Sequence, residues 1–127
     1  IQNGKPSALC PDVAGLELLT AESTARAARE GNPTAKEVFE LSGAEFGRAL
    51  SMLIDLFNPQ RIVVGGIFSR CRDLIWPAAE RVIAEEALPD SRKACTVLPC
   101  ELSESIGDMA ALSVAVYYWE HGGEGKR

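Results

Sequence analysis

The phrase RIVVGG, residues 61–66, constrains the fold more than any other part of the chain. Ile62, Val63 and Val64 form a continuous β-branched run, the pattern of a strand buried on both faces beneath helices. Asn58-Pro59 ahead of it ends any preceding helix, because the residue before proline disfavours helical backbone. Gly65 and Gly66 close the strand with open backbone, where φ can turn positive and a flat group can approach. A short buried strand set between helical phrases predicts an α/β architecture.

The flanking phrases fit that prediction. Residues 34–58 read as one long helix opened by a Thr34–Glu37 capping box, with apolar residues at 46, 49, 50, 53, 54 and 57. Gly43 and Gly47, four apart within it, each cost up to about 1 kcal/mol of helix propensity relative to Ala. Close packing against a neighbour is the expected compensation. Residues 72–88 place 74, 75, 78, 79, 82 and 83 on one helical face, with Pro77 starting the regular helix or kinking it. ACTVLPC, 94–100, is a second short strand, and SESIGDMAALSVAVYYWE, 103–120, is a closing helix rich in small residues. Ahead of the long helix, residues 1–14 read as loop and 15–30 as a helix stopped at Gly31 to Pro33. If the two strands are parallel, a right-handed crossover joins them. The 127 residues form a single domain with a flexible tail at 120–127.

Composition excludes several functions. A net charge of −5 opposes a nucleic-acid-binding surface in this piece, and the arginines are interleaved with acids as on solvated helices. No apolar run approaches the ~20 residues needed to span a bilayer. The expected location is the cytoplasm, with Cys10, Cys71, Cys95 and Cys100 as free thiols, some of them buried, since their spacing suits neither a metal finger nor a disulfide framework. His121 falls in the tail and is a poor catalytic candidate. The chain opens at Ile1 in a polar, turn-like phrase, so it is expected to be a fragment of something longer.

Three phrases are candidates for chemistry, and each has a plain packing reading. Gly65-Gly66 lies where α/β sheets bind ligands, at the carboxyl end of a strand, although a lone glycine pair is more often a mere turn. It matches neither a phosphate loop nor a dinucleotide fingerprint. Glu17 near a helix start is either a helix-dipole partner or a carboxylate for sugar hydroxyls. SIGDMAALSVA, 105–115, reads first as a tightly packed helix and second as the floor of a nucleotide pocket.

In this order, LIDLFNPQRIVVGG, IWPAAERVI and SIGDMAALSVA resemble the C-terminal lobe of the ROK family of bacterial sugar kinases and sugar-responsive repressors. The resemblance covers roughly residues 3–118 and is strongest from Phe46 onward. It implies an actin-like, ribonuclease-H-like fold of two α/β lobes with ATP and sugar in the cleft between them. It also implies that Gly65 and Gly66, with Ile67 where the family commonly has a third glycine, line the adenosine site. Glu17 corresponds to the glutamate that reaches the sugar. The family's zinc-binding cysteine phrase is reduced here to CPDVAGLE with Cys10 alone, so no zinc is expected. Val114-Ala115 stands where the family has Gly-Ala.

The resemblance implies first a lobe of an ATP- and Mg²⁺-dependent sugar kinase acting on a hexose or N-acetylhexosamine. The phosphate loop, the catalytic aspartate and the main sugar-binding phrase would lie upstream of Ile1, so this piece alone is expected to be inactive. The alternative is the effector-binding lobe of a sugar-responsive repressor whose DNA-reading module lies elsewhere. A third reading is a ligand-free packing or oligomerisation module. In it the long helix with Gly43 and Gly47, or the Tyr117-Tyr118-Trp119 cluster, contacts another subunit. The expected partners are sugar and nucleotide, and a homo-oligomer.

Overall fold

The computed structural model describes residues 9–10, 14–102 and 105–121. After a 3-10 helix at Ala14–Leu18 come α1 (Ala21–Arg29), α2 (Pro33–Phe57), β1 (Arg61–Val64) and α3 (Ile67–Glu86). These are followed by α4 (Pro89–Ala94), β2 (Thr96–Pro99) and α5 (Ile106–His121). The single helix expected over 15–30 is two segments, because Thr20 restarts it. Its Oγ1 accepts from the Ser23 N–H at 3.0 Å and Ser23 Oγ accepts from the Thr20 N–H at 3.0 Å. Most of the loop expected over 1–14 lies outside the described residues, as do 122–127 of the expected tail.

The cap of the long helix lies two residues before the expected one. Asn32 is the cap, with Oδ1 accepting from the Ala35 N–H at 3.1 Å, and Pro33 follows it where its missing N–H loses nothing. Thr34 is already inside the helix. The far end stops at Asn58, held in the left-handed region at φ 43°, just before Pro59.

Along α2 the face that packs is Ala35, Phe39, Gly43, Gly47, Leu50, Ser51 and Ile54. Of the stripe predicted from spacing, Leu50 and Ile54 are buried and Phe46 is half-buried, whereas Ala49, Leu53 and Phe57 are exposed. The glycines explain the offset. A Cβ at Gly43 would lie 2.5 Å from the Ile75 carbonyl oxygen, and one at Gly47 would lie 2.6 Å from that of Ala79. Both face α3, so they bring two helices of one lobe into contact and do not supply the subunit contact weighed above. Against them α3 buries Phe68, Cys71, Ile75, Ala78, Ala79, Val82 and Ile83. Its regular path breaks at Cys71 (φ −123°, ψ 26°), six residues ahead of Pro77. At the seam's edges Arg81 meets Glu40 at 2.6 Å and Arg48 meets Glu86 at 3.4 Å, while Arg29 ties α1 to Asp73 of α3 at 2.8 Å.

The two strands pair in parallel, with Ile62 opposite Val97 and Val63 opposite Leu98. Cys100 N–H continues the ladder to the Val64 carbonyl at 2.8 Å. Burial on both faces, expected for β1, is not what the structure has. Ile62, Val64 and Val97 turn toward the α2–α3 core, while Val63 is 62 % exposed and Leu98 is 38 % exposed on the opposite face. No described helix covers that second face.

Residues 89–94, which the sequence reading assigned to no element, form α4. Asp55 Oδ1 accepts from the Leu88 N–H at 2.9 Å and fixes its start, and Pro89 occupies the first turn. The tight packing expected of α5 is also absent, since every described residue of it is exposed. A Cβ at Gly107 would meet nothing within 4 Å. Its last residue, His121, is not a frayed end: the ring stacks on Tyr117 at 4.5 Å and Nδ1 lies 3.0 Å from the Tyr117 carbonyl oxygen.

Candidate functional site

The corner after β1 is built by the change from strand to helix. Val64 ends the ladder, Gly65 and Gly66 turn the chain, and Ile67 opens α3. The two glycines differ in what they do. Gly66 has φ 64° and ψ −136°, a conformation that side-chain-bearing residues avoid, and a Cβ there would meet nothing within 4 Å. Gly65 has no such conformation, and its Cβ would make ordinary contact with Cys100 Cβ at 3.8 Å. Glycine is thus required by backbone geometry at 66, whereas at 65 it only leaves the surface bare.

Two hollows flank the corner. One, about 270 Å³, lies between α1 and the start of α3 and is lined by Thr20, Glu22, Arg29, Ile67, Arg70 and Cys71. The other, about 430 Å³, lies on the uncovered sheet face against Val63, Leu98, Pro99, Cys100 and Leu102. A third, about 490 Å³, sits beside β2 near Trp76 and Arg92 and does not touch the corner. Gly65 and Gly66 leave the backbone bare between these two hollows. Ile67, 42 % exposed, raises a branched side chain at the rim.

Charge around the first hollow is largely committed. Arg29 donates from Nε and Nη2 to Asp73 at 2.9 and 2.8 Å, and from Nη2 to the Arg70 carbonyl at 3.1 Å. That guanidinium holds the Asp73 carboxyl below the usual carboxylate range. Cys71, buried at the break in α3, forms no disulfide, and nor do Cys10, Cys95 and Cys100. Burial pushes the Cys95 thiol up.

Of the residues singled out from sequence, the structure brings together Gly65, Gly66 and Ile67. Glu17 stands apart, exposed on the 3-10 helix, and lines neither flanking hollow. Thr20 and Arg70 were not foreseen. The available signal for Arg70 was its position three residues after Ile67, which puts both on one face of α3. Among the described residues no cluster of three or more His, Cys, Asp or Glu side chains could hold a metal, and no helix is long and apolar enough to cross a membrane.

The family model described as the ROK family matches residues 12–117. The DNA-binding transcriptional repressor Mlc of Escherichia coli K12 is 33 % identical over 96 residues, covering 76 % of this chain and 23 % of that protein. The N-acetylglucosamine repressor of Escherichia coli O6:H1 is 33 % identical over 103 residues, 80 % of this chain and 25 % of its own length. The chain therefore spans about a quarter of the length of these relatives. Among solved structures, a sugar kinase described as putative, from Cytophaga hutchinsonii, superposes with a TM-score of 0.71. It is 20 % identical, covering 88 % of this chain and 36 % of that one.

Proposed function

The chain belongs to the ROK family, and from that premise we propose that it is a lobe of a sugar-responsive transcriptional regulator on the actin-like fold the family shares with sugar kinases. The observation that carries the reading is Ile67. A kinase must seat a triphosphate for in-line transfer, and its catalysis is almost wholly positioning and charge stabilisation. A branched, 42 % exposed side chain directly after Gly66 would crowd the adenosine end of that nucleotide. A regulator needs only a sugar bound with different affinity in two conformations, because a ligand shifts an equilibrium by its differential affinity alone. The names of the two repressors at 33 % identity support the same choice.

In this reading the exposed carboxylate of Glu17 accepts hydrogen bonds from sugar hydroxyls, and other parts of a longer protein complete the site. Charge-assisted bonds of this kind are about twice as strong as neutral ones. DNA is read elsewhere in this reading, because the net charge is −5 and Arg29, Arg48 and Arg81 are each paired with an acid of this piece.

One observation favours a second reading, a sugar kinase. The corner at Gly65 and Gly66 is open, as an adenosine ring requires. ATP with Mg²⁺ would then supply the transferable phosphoryl group, with the ring laid against the corner.

The test is Glu17→Gln in the protein carrying the complete sugar site. Sugar affinity should fall at least about tenfold, the scale of one charge-assisted bond. Unchanged affinity removes Glu17 from the site.

A further inference from the structure

The hollow of about 490 Å³ beside β2 takes no part in the glycine corner, yet its lining is that of a ligand site. Its volume falls within the roughly 300–1,000 Å³ usual for small-molecule pockets, which combine an apolar floor with a few polar groups that fix orientation. Ile54 of α2, Ile83 of α3 and Val97 of β2, all buried, supply the floor. Trp76 supplies a wall. Buried Phe68 meets the Trp76 ring edge-on at 6.1 Å, and the Arg72 guanidinium lies over that ring, 5.6 Å from its centroid.

Charge sets the class of ligand. Among the described residues Arg29, Arg48 and Arg81 are each paired with an acid, whereas Arg72 and Arg92, which both line this hollow, are paired with none. The ring face of Trp76 holds Arg72 without using its N–H groups. Arg92 donates from Nη1 to the Ala84 carbonyl at 2.7 Å, which fixes the guanidinium and leaves its other N–H groups to be used. Glu80, also in the lining, offsets one of the two cations, so a single positive charge is left to be matched. Thr96 and the Cys95 thiol, whose ionisation burial opposes, add none. A guanidinium presents its donors as a fork that fits a carboxylate. We infer that this hollow is a binding site for an apolar monocarboxylate. Its hydrocarbon body rests on Ile54, Ile83 and Val97 beside the Trp76 ring, and its carboxylate accepts from Arg72 and Arg92. The inference rests on this hollow alone and holds whether the lobe serves a regulator or a kinase.

Octanoate, kept below its micelle concentration, is the probe. The chain has two tryptophans, and Trp119, 89 % exposed, can be replaced without disturbing the core, so Trp119→Phe leaves Trp76 as the sole indole. Octanoate should then change Trp76 fluorescence saturably. 1-Octanol, which has the same body and no charge, should bind at least about tenfold more weakly. Arg72→Gln and Arg92→Gln in this background should each raise the octanoate Kd at least about tenfold while moving the 1-octanol Kd by less than about twofold. Circular dichroism checks folding. If Arg92→Gln unfolds the chain by losing its bond to Ala84, Arg72→Gln carries the test. Absence of a saturable change overturns the proposal. So does equal affinity for octanoate and 1-octanol, or octanoate binding indifferent to both arginines, which would place the probe on the exposed apolar surface of the sheet or of α5.

Discussion

Replacing Gly47 with alanine sets two known effects against each other at one atom. Helix propensity favours alanine by about 1 kcal/mol at an interior position. The new Cβ, however, would lie 2.6 Å from the Ala79 carbonyl oxygen, 2.9 Å from Ala79 Cα and 2.9 Å from Val82 Cβ. Contacts under 3.0 Å are essentially never adopted, so α2 and α3 must part by at least 3.0 − 2.6 = 0.4 Å. Two of the three obstructing atoms are backbone, and no rotamer change relieves them. A gap of 0.5–1 Å already forfeits about a quarter to a half of the dispersion well for each contact along a seam. Overpacking costs about 1–3 kcal/mol, and a clash with backbone falls in the upper part of that range, about 2–3 kcal/mol, so the net loss after the propensity gain is about 1–2 kcal/mol. Urea unfolding followed by circular dichroism should show the midpoint falling by roughly 0.5–1 M, with unchanged slope, at an m-value of about 2 kcal/mol/M. Gly43→Ala should behave alike, and the double variant should lose less than the sum, because both changes force the same separation. A midpoint unchanged or raised by Gly47→Ala would refute the account of why α2 carries glycine.

Two further outcomes are expected. Asn32→Ala should cost about 1 kcal/mol by leaving the Ala35 N–H without its cap, whereas Thr34→Ala should leave stability within about 0.5 kcal/mol; a chemical melt of each distinguishes the caps. Asp73→Asn should destabilise by a few tenths to about 1 kcal/mol at pH 7, the scale of an exposed pair. Arg29 lowers the Asp73 pKa in the folded state, so the stabilisation is complete above the unfolded value of about 3.9 and is lost as pH falls through the lowered one. Thermal melts should therefore show the difference between unaltered and variant protein closing as the pH falls below the unfolded carboxylate value.

Local chemistry made much of this fold legible. Asn58-Pro59 stopped α2, the run Ile62–Val64 paired as a strand, and Gly43 with Gly47 marked a close helix contact. Where several local signals competed, spacing alone misled. Asn32 captured the cap ahead of Thr34, because its Oδ1 and the preset φ of Pro33 begin the helix earlier. The face of α2 shifted toward its glycines, leaving Ala49, Leu53 and Phe57 outside. Continuous apolar character in β1 reads as burial on both faces, yet which face a described helix covers is a tertiary fact. The same holds for α5, whose small residues suggest tight packing but are exposed here. At the site, Gly66 was legible because positive φ selects glycine. Arg70 and Thr20 were not, because α1 and α3 bring them to one hollow through packing that no spacing records.

The central claim is that this lobe serves sugar sensing and that its glycine corner no longer supports phosphoryl transfer. The direct test incubates the protein carrying the complete sugar site with hexose, ATP and Mg²⁺, and follows ³¹P signals of any sugar phosphate together with the amide resonances of residues 64–69. Saturable sugar binding without sugar phosphate, and with those amides unmoved by ATP, is the predicted result. Release of sugar phosphate, with ATP shifting Gly65 and Gly66, would contradict it.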